Sequence, residues 1–192
     1  MSVANVANDD GWTFFGGNQN NALQNILGAY AGIDAADSDI YIRFKIVTAI
    51  PQSSTINSCT FRQVGYATSS GTTLTGRVKL EKTANAADQT GGATDLDART
   101  YCSDKPALSN ITVTVDTNYD VDLTTAFQEL INYTALAVDD YVLVTMEDQG
   151  STGGSAYREF KSRDNGDYSK LLVDWTEGAT GNRRRRNIIC GV

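Results

Sequence analysis

Short stretches in which large apolar residues alternate with polar ones recur along this chain, and they limit its fold more than any other feature. Tyr41-Ile-Arg-Phe-Lys-Ile-Val47 and Gly76-Arg-Val-Lys-Leu-Glu81 alternate cleanly, the period-two signature of a strand with one buried face. Ile56–Tyr66, Asn110–Val115, Ala156–Ser162 and Lys170–Trp175 read as further strands. Tyr141-Val-Leu-Val-Thr-Met146 is apolar on both faces, as in a central strand covered on each side. The Asn-rich run Asn18–Asn25, the loop at Pro51 and Ser53-Ser54, and a hairpin turn at Ser69–Thr73 separate these stretches. One helix is expected: Leu123, Ala126, Phe127, Leu130 and Ile131 form a single apolar stripe, with Asp122 at the N-cap. With many short strands, one helix and no βαβ alternation, the expected fold is all-β. The architecture predicted is a jelly-roll β-sandwich of two antiparallel sheets with one short helix and long surface loops.

A chain of 192 residues suits one domain. It is placed at 12–175, between an N-terminal arm, 1–11, and a basic then apolar tail, 176–192. Residues 83–110 hold Gly91-Gly92, Pro106 and few large apolar groups, and read as a long excursion over the surface. The first residues carry no basic group before Arg43 and no long apolar run. No signal peptide and no membrane partner are therefore expected, and synthesis is expected in a cytosol.

The chain contains no histidine, which removes imidazole-based nucleophile systems, His-ligated zinc and imidazole pH switching. Cys59, Cys102 and Cys190 have no CxxC spacing and read as two buried thiols and one in the tail. Carboxylate pairs occur at Asp95/Asp97, Asp120/Asp122, Asp139/Asp140 and Glu147/Asp148. Hard cations take several oxygen ligands from turns, so a structural calcium is conceivable, but no EF-hand spacing is present. The expectation is solvated turn acids, no cofactor and no assignable catalytic pair.

Net charge is −7. Four of the 16 basic residues are Arg183–Arg186 and no acid follows Glu177, so the body before the tail sets 23 acids against the remaining 12 bases. Such a body is repelled by phosphate backbones, which argues against nucleic-acid binding. In the tail, Arg183, Arg184, Arg185 and Arg186 precede Ile188 and Ile189. Charge followed by buried-type residues suits docking, with the arginines on an acidic neighbour and the isoleucines in a groove. Trp12 and Trp175 are the two aromatics weighed for sugar stacking against a role in closing the core.

Three stretches in order resemble the DNRLRE family, a jelly-roll module related to carbohydrate-binding modules. They are Tyr41-Ile-Arg-Phe44 with Ile50-Pro51 and Thr55-Ile56, then Val121-Asp-Leu-Thr124 with Phe127-Gln-Glu-Leu130. The third is Phe160-Lys-Ser-Arg-Asp164 with Leu171-Leu-Val-Asp-Trp175. The resemblance covers roughly residues 12–175; the family's Trp-containing strand has no counterpart between residues 83 and 108. It places Arg43 and Arg163 in strands where the family keeps arginine. A core-facing arginine needs a carboxylate, so both are expected in ion pairs pinning the two sheets.

The function expected from class resemblance is a non-enzymatic virion structural protein, a capsid decoration (cement) protein of a tailed bacteriophage. Its partners would be the major capsid protein or other virion subunits, contacted through arm, 83–110 loop and tail. A homo-oligomer, with a trimer as the natural form at three-fold capsid sites, is expected with it. The alternative is a glycan-binding adhesion module.

Overall fold

Alternation in sequence becomes pairing in space. The computed structural model describes residues 10–14, 17–19, 24–28, 39–68, 74–89, 92–149, 157–162, 169–178 and 185–191. In chain order the elements are β1 (Asp10–Phe14), β2 (Gly17–Gln19), β3 (Gln24–Gly28), β4 (Ile40–Lys45), β5 (Thr55–Val64), β6 (Thr75–Leu80) and α1 (Gly92–Asp97). There follow β7 (Ala107–Ser109), β8 (Asn118–Asp122), α2 (Thr124–Tyr133), β9 (Tyr141–Asp148), β10 (Tyr157–Lys161), β11 (Lys170–Thr176) and β12 (Arg185–Gly191).

The strands form a six-stranded sheet, β2-β1-β4-β9-β6-β7, a four-stranded sheet, β12-β11-β5-β8, and a ribbon, β10-β3. Every pairing is antiparallel. The protein is thus an all-β sandwich with few helices. Most connections cross from one sheet to the other, so β5 and β6 are not neighbours. The expected hairpin between them is a crossover instead, and its turn, Ser69–Thr73, lies outside the described residues.

Register explains the core. Ile40, Ile42 and Phe44 of β4 stand opposite Met146, Val144 and Val142 of β9, and Val78 and Leu80 of β6 join the same rows. From the other sheet come Ile56, Cys59 and Phe61 of β5 with Leu171, Val173 and Trp175 of β11, all buried. Phe44 and Phe61 meet edge to face across the two sheets, ring centroids 6.0 Å apart. Asn57 is an extra residue in β5: Ser58 pairs with Asp174 and Ile56 with Trp175. This bulge lets Ile56 and Cys59, three apart, both point inward.

Helix α2 carries the expected stripe: Ala126, Phe127, Leu130 and Ile131 are buried in the main core together with Leu123. Asp122 lies one position before the N-cap residue, Leu123, and accepts the backbone N–H of Thr124 at 2.8 Å. It therefore supplies the terminal acceptor, and these bonds hold its carboxyl below the usual range.

Three expectations are corrected. Asn110–Val115 is not a strand. Asn110 and Asp116 have φ of 48° and 58°, and of the alternating apolar residues Val113 alone is fully buried while Val115 is exposed. Thr114 lies so close to Gly65 that a Cβ there would stand 2.2 Å from its carbonyl oxygen. Asn18–Asn25 is not wholly a turn, since β2 ends at Gln19 and β3 begins at Gln24. The tail, expected to dock on a neighbour, is over Arg185–Gly191 a strand of its own chain's sheet, because β12 pairs along its whole length with β11. Four-stranded order thus reaches past the boundary placed at residue 175, and β1 begins at Asp10, inside the arm placed at 1–11.

Candidate functional site

The outer face of the six-stranded sheet is where the structure gathers its ionisable groups. Inward residues of β4, β9 and β6 alternate with a second set facing away from the core. Register sets Glu147 beside Arg77, Thr145 between Tyr41 and Lys79, and Leu143 beside Arg43. Of residues 83–110, expected as a loop over the surface, the described ones up to Pro106 fold across this face as a third layer. Ala86 and Leu96 pack with Tyr41 and Leu143 in a second, smaller core edged by Tyr141.

Ion pairs fasten that layer. Glu147 receives Lys79 Nζ at 2.8 Å and also the Nε of Arg77. Burial would raise the Glu147 carboxyl, but the two cations outweigh it and hold it below the usual range. Lys79 Nζ stands 4.2 Å from the Tyr101 ring centroid, and the Tyr101 hydroxyl donates to the Leu96 carbonyl at 2.9 Å. Arg99 is the main fastener. It donates to Glu81 at 2.9 Å, Asp95 at 3.2 Å, and the carbonyls of Ala87 and Asp88 at 3.1 and 2.9 Å. Burial raises the Glu81 carboxyl, with Arg99 opposing. The pair therefore orients the segment more than it stabilises the charge.

At one end of this face Asp39 accepts the backbone N–H of Asp148 at 2.7 Å. Burial pushes its carboxyl from 3.8 up to about 7; the Asp148 N–H and Lys79 oppose, and Glu147 and Asp148 add to the rise. Near the far side of the segment, burial and then Glu129 push the Cys102 thiol up to about 12. A thiol so placed stays protonated near neutrality and is a poor nucleophile. A groove of about 430 Å³ runs along α2, lined by Ile56, Thr124, Thr125, Gln128, Glu129 and Asn132. Its polar groups are already engaged: Gln128 with Ile56, Ser54 and Asn132, Glu129 with Lys82 and Ser103. This arrangement orders backbone and side chains.

The residues singled out from sequence fare differently. Arg43 is buried and pairs with Asp88, its guanidinium 4.0 Å from the Tyr141 ring centroid. Its carboxylate, Asp88, comes from the 83–110 segment, so the pair fastens the third layer and does not pin the two sheets. Arg163, Arg183 and Arg184 lie outside the described residues. Trp175 is 1% exposed in the main core, which corrects its candidacy for sugar stacking: the sandwich needs its volume inside. Trp12 lies in β1 opposite Gln19 and Ile40. Arg185, Arg186, Ile188 and Ile189 lie in β12 opposite Thr176, Trp175, Val173 and Leu172.

Of the paired acids Asp97, Asp120, Asp122 and Asp139 are exposed, while Glu147 and Asp148 are buried. Asp95 pairs with Arg99, Asp120 with Arg62, Asp139 with Lys45, and Asp140 accepts the Ala137 N–H. Among the described residues no group of His, Cys, Asp and Glu could hold a metal ion. The Lys79–Glu147 and Arg99–Glu81 pairs escaped the sequence reading. A signal existed: a charge alternating outward in a strand apolar on both faces needs a partner layer.

No protein-family model matches this chain, and no curated protein matches it.

Proposed function

We propose that this chain is a non-enzymatic virion structural protein, a decoration protein that binds the assembled capsid of a tailed bacteriophage. In this reading it is a DNRLRE-like jelly roll that works as a homo-oligomer against the major capsid protein or neighbouring virion subunits. The observation that carries it is the seating of the basic and apolar C-terminal segment. Arg185–Gly191 forms the outermost strand of the four-stranded sheet, an edge of backbone donors and acceptors that includes Arg185 and Arg186. Extended edges of this kind recognise other chains by adding a strand.

Two further points support a contact role over chemistry. The ionisable groups on the outer sheet face are consumed in internal pairs, and the Cys102 thiol is held protonated. Glycan binding is the second reading; of its two sequence candidates, Trp175 is spent in the core.

Binding only to the assembled shell stabilises it by mass action, about 2.7 kcal/mol per site at a hundredfold excess over Kd. Purified protein added to undecorated shells should raise their disruption temperature and co-sediment with them. Unchanged shells together with selective retention on a glycan array would replace this reading with the second one.

A further inference from the structure

We infer that copies of this chain join head to tail through the two edges of the four-stranded sheet, β12 of one copy adding to β8 of the next. The inference rests on the oligomeric part of the reading above and not on the capsid.

Hydrogen-bond parity shows which backbone groups each edge offers. Residues along an antiparallel strand direct their N–H and C=O alternately to one neighbour and to the other. Gly65 N–H donates to Thr117 O at 3.0 Å, and Leu123 N–H to Cys59 O at 2.8 Å. Residues 117 and 123, and with them 119 and 121, therefore face β5, leaving Asn118, Asp120 and Asp122 to face outward. Within β5, residues 59, 61 and 63 are turned to β8, so Thr60 and Arg62 face their β11 partners Leu172 and Lys170. Leu171 and Val173 then face Cys190 and Ile188. Arg185, Asn187, Ile189 and Gly191 direct their backbone groups away from the sheet.

Direction is also right. Four strands that alternate end with edges running in opposite senses. A second copy brought up by rotation therefore meets β12 with an antiparallel β8, and the sheet continues unbroken. The edges of the six-stranded sheet, β2 and β7, are three residues each and too short for this.

Charge selects the pairing. β8 reads Asn-Tyr-Asp-Val-Asp with no base, and β12 reads Arg-Arg-Asn-Ile-Ile-Cys-Gly with no acid. A register that sets Arg185 opposite Asp122 brings Asn187 opposite Asp120 and Ile189 opposite Asn118. All of these positions have outward backbone groups, as a bonded pair requires. Asp120 already holds Arg62 on the sheet face with both oxygens, at 2.7 and 2.6 Å, whereas Asp122 meets Thr124 through Oδ1 alone, so its Oδ2 supplies the acidic charge at the joint. Pairing β8 with β8 would instead set acids against acids, which destabilises a strand pair. A joint between unlike edges generates a ring when the rotation closes.

The test uses proline, which removes one N–H and is tolerated on edge strands. Asn187→Pro blocks β12 and Asp120→Pro blocks β8, each at an outward group. By light scattering, the wild type should run as a closed oligomer of three or more 20.7 kDa chains. Each variant alone should run as one chain, and their mixture as a one-to-one complex joined by the single pair of intact edges. Circular dichroism and melting check that each variant folds. Arg185→Glu, which leaves the backbone intact, should by itself dissociate the oligomer at low salt. A monomeric wild type would overturn the inference. So would an oligomer that survives Asp120→Pro, the sign of β12 pairing with itself, or one that survives Arg185→Glu. None of these outcomes touches the shell assay, which judges the functional reading separately.

Discussion

Asp39 is the residue whose protonation the fold controls most visibly. It is 8% exposed, and its carboxyl is raised from 3.8 to about 7, chiefly by burial. Between those values the folded chain keeps a proton that the unfolded chain releases. This group therefore costs nothing below the ordinary carboxylate range and progressively more as pH rises to neutrality, on the order of 4 kcal/mol in all. Glu147, Asp120, Asp122 and Glu129 are shifted the other way. Their stabilisation is present above the unfolded carboxylate values and is lost as pH falls through the lowered ones. Melting temperature should accordingly peak near pH 4–5 and fall toward pH 7. Asp39→Asn should flatten that descent while leaving the acid limb in place; an unchanged descent would refute the assignment. Gly65 is the complementary steric case. A Cβ there would stand 2.2 Å from the Thr114 carbonyl oxygen, a backbone contact that no side-chain rotation relieves. Gly65→Ala should cost about 2–3 kcal/mol by denaturant titration.

Elements show why periodicity reads some structure and misses the rest. The α2 stripe was legible because a helix with one apolar face has one place to bury it, and Ala126, Phe127, Leu130 and Ile131 are all inside. The strand at Asn110–Val115 was not, because alternation records which side chains are apolar and not which backbone finds a partner. Gly65 itself bonds instead to the turn around Thr117, its N–H donating to the Thr117 carbonyl and its own carbonyl accepting the Asp116 N–H. Residues 83–110 were read as irregular for want of apolar residues, yet Arg99 ties this segment down through Glu81, Asp95 and two carbonyls. Arg99→Ala strands a largely buried Glu81, whose side chain is 12% exposed. It should cost about 3 kcal/mol. Hydrogen exchange should rise in residues 85–99 and not in β5 or β11; a uniform rise would show that the layer is not a separate unit.

For the whole molecule, the sandwich itself was legible from strand count and helix stripe, and its third layer and last strand were not. Both depend on pairings distant in sequence: Arg43 with Asp88, and β12 with β11. The candidate site was less legible still, since Trp175 fills core volume that no local pattern reveals. One feature of the four-stranded sheet limits any assembly built on it. Over the first half of β5, helix α2 stands where a further strand would lie: Thr124 Oγ1 accepts the Cys59 N–H at 3.0 Å and Gln128 Oε1 accepts the Ile56 N–H at 2.8 Å. The rim is sealed there, and an incoming chain finds only the five residues of β8. In the proposed assembly each joint is therefore short, and a closed circle, in which every copy makes two joints, holds more firmly than an open row. The same seal leaves the first half of β5 unable to template a further strand.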